Sequence, residues 1–180
     1  MPSTAAAPLT WFKALLFGLL AWNTAAYSLT GTLSEALDSA AWFSLLVLFL
    51  LETSLGGRLP AWSAAAIRTV RIAAAIALVA ATIGYLRDEE WLDAINSALW
   101  VAFVVVLEIQ VRYPAAATRH RARFSAAVGL ICAGLGALVL AWAWQGEWFD
   151  AYDALLWLVA LAVVEMDVMS SLPRAAHPAR

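Results

Sequence analysis

The chain has 180 residues, 64% of them hydrophobic and only 13% charged, with a formal net charge of −2. Soluble domains average nearer half apolar and a quarter charged, so this composition excludes a water-soluble globule and requires lipid contact. The slight negative balance leaves no basic face for a nucleic acid, and a single cysteine, Cys132, excludes an intramolecular disulfide.

The first apolar segment, about 10–30, contains ALLFGLLAW at 14–22 behind Lys13. No small-x-small cleavage pattern follows it, so it is expected to remain as a first span rather than leave as a signal peptide. The second, about 36–56, opens on DSAAW and closes near Glu52. The third, about 64–86, runs from Arg68 and Arg71 to Tyr85. The fourth, about 91–111, reads WLDAINSALWVAFVVVLEIQV, with Asp93 and Asn96 near its start and Glu108 near its end. After the basic loop YPAAATRHRAR come the fifth, about 124–144, and the sixth, about 148–169. A short basic tail, 170–180, ends the chain.

Each segment is close to the roughly 20 residues that cross about 30 Å of hydrocarbon. The six prolines are expected in tails or loops, which leaves the spans as continuous helices that satisfy their own backbone groups in lipid. The chain is therefore predicted to be an all-α polytopic membrane protein, one transmembrane domain over residues 1–180 with six transmembrane helices.

Charge sets the expected orientation. With a cytoplasmic N-terminus, Lys13, Arg58, Arg68, Arg71, Arg112, Arg119, Arg121, Arg123, Arg174 and Arg180 share one side, and of the basic residues only Arg87 falls opposite. By the positive-inside rule both termini are expected in the cytoplasm, with the protein in an inner (cytoplasmic) membrane. Trp91, Trp142, Trp144 and Trp148 are expected in the outer aromatic belt, and Trp11 and Trp62 in the inner one.

Internal similarity suggests three tandem helix hairpins, at about 10–56, 64–111 and 124–169. Trp91, Asp93, Asn96, Trp100 and Glu108 match Trp148, Asp150, Asp153, Trp157 and Glu165 at a constant offset of 57. A fainter copy at 38–52 ends on Glu52, and its shorter Asp38-to-Trp42 spacing reads as a slip. The preceding helices share a basic start (Lys13, Arg71, Arg123) and an aromatic end (Tyr27, Tyr85, Trp142). Parallel repeats of this kind are expected to pack as repeated units. Small-residue stripes, Ala73, Ala77 and Ala81 in the third segment and Ser125, Gly129, Ala133 and Ala137 in the fifth, are expected to form tight helix contacts.

The acids are the candidate functional residues. Asp93, Ser97, Trp100, Val104 and Glu108 fall on about one quarter of a helix, and ionisable groups at such depth turn toward protein or water. Glu52, Glu108 and Glu165 sit at helix C-termini, where the dipole disfavours negative charge. Pairing with Lys13, Arg71, Arg112 or Arg123 is one expectation for them, and a place along an ion or proton path is the other. Asp93, Asn96, Asp150 and Asp153, with Asp88, Glu89 and Glu90, have two readings: ordinary external loop acidity with favourable negative charge at helix N-termini, or a cation-concentrating outer vestibule. His120 and His177 lie in a loop and a tail, and no nucleophile–base constellation or phosphate loop is present, so neither a cofactor nor enzymatic chemistry is expected. Two functions follow: binding or conduction of a cation or proton, or a non-transporting accessory, assembly or lipid-binding subunit. Membrane lipids, a second copy of the chain or a membrane partner are the expected associates.

Overall fold

A computed structural model describes residues 6–55 and 61–171, with side chains over 11–53, 55 and 63–163. The described residues are all-helical: α1 (Ala6–Thr30), α2 (Leu33–Leu55), α3 (Ala61–Arg87), α4 (Trp91–Arg112), α5 (Pro114–Arg119), α6 (Arg121–Gln145) and α7 (Trp148–Ser171). Two prolines depart from the expected placement in tails and loops. Pro8 lies in the first turn of α1 and Pro114 opens α5, positions where a helix has no use for the missing N–H.

The helix ends are set by local chemistry. Thr32 and Glu35 form a capping box at the start of α2: the Thr32 N–H donates to Glu35 Oε2 at 2.5 Å and the Glu35 N–H to Thr32 Oγ1 at 3.2 Å. Gly146 ends α6 with φ 87°, in the left-handed region, while the Glu147 N–H returns to the Trp142 carbonyl. The basic loop holds the six-residue α5.

Each long helix packs against the next along the chain, and α7 packs back on α1, which closes a ring of α1, α2, α3, α4, α6 and α7. Along the α1–α7 seam Leu16 and Leu20 meet Ala160 and Val163. At mid-depth Trp100 and Phe103 of α4 pack on Ile131 and Leu135 of α6. Toward the end where α1, α3 and α6 finish, Leu138 and Trp142 pack on Ala151 and Ala154, and Ala81 and Tyr85 on Ala94. The α2–α3 contact is close enough that a Cβ on Gly84 would stand 2.0 Å from Ser34 Oγ.

The outside of the ring is apolar. Ile76, Leu130 and Leu140 are 65%, 76% and 71% exposed, and many other large hydrophobic side chains on the long helices are open with them. Patches of this extent are not left to water. Four helices, over Leu33–Thr53, Ser63–Arg87, Trp91–Arg112 and Arg121–Gln145, are long and apolar enough to cross a membrane. The architecture is that of a helical, membrane-embedded protein.

Two packing expectations fail. Ser125, Gly129, Ala133 and Ala137 of α6 all face outward, so that stripe does not make the tight contacts expected of it, whereas in the α3 stripe Ala73 is exposed but Ala77 and Ala81 pack as expected. Beside Ala81, the buried alanines are Ala74 of α3 with Ala41, Ala94, Ala151, Ala154 and Ala160 of α2, α4 and α7, where they let bulky Leu, Tyr and Trp side chains fit across the seams. Trp142 is 2% exposed and belongs to the core rather than an aromatic belt, whereas Trp91, Trp144 and Trp148 are exposed.

Candidate functional site: an acidic, aromatic-floored cavity

Two ends of the ring differ in charge. At the acidic end, where α2, α4 and α7 begin, the helices enclose a cavity with about 50 Å³ open to the centre of a water molecule. A single water needs about 10–15 Å³ by this measure, so the cavity has room for about three to five waters or a comparably small guest. Its wall carries Glu35, Asp38, Asp93, Asp150 and Asp153, with Asn96 and Ser39 among them. No Lys, Arg or His is among the lining residues.

Helical periodicity places these groups. Glu35, Asp38 and Trp42 on α2 have the spacing of Asp93, Asn96 and Trp100 on α4, and of Asp150, Asp153 and Trp157 on α7. Three and four residues are about one helical turn, so each set stacks along one helix face, and all nine residues line the cavity. Asp38 thus stands level with Asn96 and Asp153, and Glu35 with Asp93 and Asp150. The offsets are 58 and 57, and the short Asp38-to-Trp42 spacing is not a slip. The other three helices contribute Tyr27, Tyr85 and Trp142, again 58 and 57 apart.

Side-chain bonds hold part of the wall. Tyr27 OH donates to Asp150 Oδ1 at 2.7 Å, and Asn23 Nδ2 to Asp153 Oδ1 at 2.7 Å. Asn23, 1% exposed, was not singled out by sequence, since one amide in an apolar run gives no signal of what it faces. The Ser97 hydroxyl donates to Asp38 Oδ1 at 3.3 Å and lies 3.1 Å from Thr82 Oγ1. Other polar atoms have no partner: Ser39 Oγ, on a side chain 9% exposed, and Asn96 Oδ1. Buried oxygens left unpaired are costly, and here they belong to residues that line a cavity.

Below the acids the cavity meets indole rings. Trp42 and Trp100 have centroids 5.9 Å apart, and Trp100 and Trp157 6.3 Å apart, both pairs strongly tilted. Beneath them lie Phe103, Ile131 and Leu135. This apolar layer separates the cavity from the other end.

At the basic end Glu108 is paired with Arg112, one turn along α4, at 2.5 Å, with both side chains largely exposed. Glu52 of α2 is paired with Arg71 of α3, also at 2.5 Å. Arg123 is exposed at the start of α6, and Lys13 is partly buried on α1. The side chain of Glu165 lies outside the described residues. The two described inner acids therefore do not line the cavity that holds Asp93, Asn96, Asp150 and Asp153. At the acidic rim, Glu90 in the turn before α4 is pushed above the ordinary carboxylate range, first by burial and then by Glu35, Asp88, Asp150 and Glu147.

Among the described residues, no group of three or more His, Cys, Asp or Glu side chains converges closely enough to hold a metal ion. The class is thus a helical membrane protein with a carboxyl-lined, aromatic-floored cavity at one end. Comparison with family models, curated proteins and solved structures gave no match.

Proposed function

We propose that this protein binds a cation in a cavity that opens on the outer face of a cytoplasmic (inner) membrane. In this reading the chain crosses the membrane six times, both termini are cytoplasmic, and three tandem hairpins surround the cavity. The placement of ten of the eleven basic residues on one side supports the orientation. The 58 and 57 offsets of the wall residues support the threefold arrangement.

One observation carries the cation assignment: five carboxyl groups and no basic side chain line one small cavity. Low-dielectric walls focus such a field and raise the local concentration of positive charge. Lipid-facing placement would cost each acid about 2.5–3.5 kcal/mol, which the turn toward a polar cavity avoids. The test is isothermal titration of the nanodisc-embedded protein with monovalent and divalent cations at low ionic strength. Saturable binding that Asp38→Asn with Asp153→Asn weakens at least tenfold is expected. Absence of saturable binding for every cation tried would overturn the assignment.

A second reading is favoured by a specific feature, the apolar layer under the cavity together with the paired Glu52 and Glu108. It makes the chain a non-transporting accessory, assembly or lipid-binding subunit whose Glu–Arg pairs are structural. Crosslinking in native membranes distinguishes it by recovering a defined protein partner.

A further inference from the structure

Resting on the cation reading above, we infer that the ligand is a small organic cation bearing N–H donors, an alkylammonium or guanidinium, seated on the indole floor with its charge among the acids.

Three independent observations separate this ligand from a bare metal ion or a proton. The first is the inventory of the wall. Besides the carboxyl groups, Ser39 Oγ, Asn96 Oδ1 and the indole N–H of Trp42 are buried without partners on residues that line the cavity. Five carboxyl groups, an amide oxygen and a hydroxyl outnumber the one indole N–H among these groups, so acceptors predominate and suit a guest that donates several hydrogen bonds. Primary ammonium supplies three donors and guanidinium more, and charge-assisted bonds to carboxylates are about twice as strong as neutral ones.

Spacing of the acids is the second observation. A calcium ion takes about six to eight oxygens at 2.3–2.6 Å, and magnesium a tight octahedron. No three acidic, His or Cys side chains among the described residues approach that convergence. Carboxyl groups spread around a wall instead suit a cation whose charge is divided over several N–H groups pointing in different directions.

The third is the floor. A cavity for an inorganic ion gains little from Trp42, Trp100 and Trp157 side by side. For an organic cation the indoles do two things. Their faces attract positive charge, most strongly for Trp among the aromatic residues, and their apolar area covers the carbon of the guest. Size agrees, because space for about three to five waters fits a cation of a few heavy atoms and excludes bulky ones.

The experiment is isothermal titration of the full chain in nanodiscs with ethylammonium, guanidinium, tetramethylammonium, potassium and magnesium chlorides. Ethylammonium and guanidinium are expected to bind saturably and at least tenfold more tightly than the other three. Trp157→Leu should weaken ethylammonium by about 3- to 30-fold, and Trp157→Phe by less. Ser39→Ala, a small change that keeps the backbone helical, should weaken it by about 2- to 10-fold. Potassium or magnesium binding more tightly than ethylammonium would overturn the organic-cation inference and leave the cation site standing. Tetramethylammonium binding as tightly as ethylammonium would overturn the requirement for N–H donors. No binding by any of the five would overturn the cation reading itself.

Discussion

Gly84→Ala tests the geometry that sets one wall of the cavity. In an ordinary helix this change is stabilising, by about 0.8–1.0 kcal/mol, because alanine loses less backbone entropy. Here the added methyl would stand 2.0 Å from Ser34 Oγ and 3.1 Å from Ser34 Cβ. Rotating the Ser34 hydroxyl relieves the first contact, but the second still requires α2 and α3 to part by a few tenths of an ångström. Overpacking costs about 1–3 kcal/mol, so the net effect is destabilisation by about 1 kcal/mol. For a chain of this length that lowers Tm by about 2–4 °C. The separation falls beside Tyr85 and close to Glu35 and Asp38, all lining the cavity, so cation affinity should fall too. Thermal unfolding in detergent followed by circular dichroism measures the shift. A companion Ser34→Gly change removes the Cβ that the new methyl meets, and the double mutant should recover part of the loss as a coupling of about 1 kcal/mol. A Gly84→Ala protein that is more stable than wild type would refute the close α2–α3 approach.

Tyr27→Phe deletes the bond to Asp150 and should lower stability by about 1 kcal/mol, read as a fall in Tm. Glu52→Gln with Glu108→Gln should cost less than about 1 kcal/mol per pair, since both pairs are open to solvent, and leave cation titration unchanged; altered cation binding would place these acids with the cavity. Glu90→Gln should raise Tm at neutral pH. Burial and neighbouring acids raise this carboxyl group above its unfolded value, so its favourable contribution is complete at low pH and is lost as pH rises through the folded pKa. The difference between Glu90→Gln and wild type should therefore vanish below the ordinary carboxylate range and shrink with added salt.

Much of the helix layout was legible because lipid demands long, uninterrupted apolar runs. The six marked segments fall within a few residues of α1, α2, α3, α4, α6 and α7. Asp93, Asn96, Asp150 and Asp153 stood out because acids and amides are rare in such runs, and all four line the cavity. Which face of each helix turns inward was much harder to read. Lipid and protein core are about equally apolar, so the contrast that marks a soluble amphipathic helix is nearly absent. That is why the α6 stripe from Ser125 to Ala137 was taken for an interface while Ile131, Leu135 and Leu138 carry the packing. Trp142 was read both as a belt residue and as the counterpart of Tyr27 and Tyr85, and only its burial separates the two. The place of Glu35 and Asp38 on the same wall is hidden in the sequence because setting Asp38 against Asp93, instead of Asn96, makes its spacing to Trp42 look like a slip. Closure of the ring depends on the α1–α7 contact, between helices at opposite ends of the sequence, and no local pattern announces it.

The central claim is that the acidic end holds a cation-selective cavity open to the outer face. It is tested most directly by thiol accessibility at Asn96, on the cavity wall. Asn96→Cys in a Cys132→Ala background, reconstituted in oriented proteoliposomes, is treated from each side with cationic and anionic methanethiosulfonates of similar size. Modification is expected from the outer side only, with the cationic reagent reacting at least tenfold faster and the ratio collapsing as salt screens the field. Equal rates for the two charges, or modification from the inner side, would contradict it.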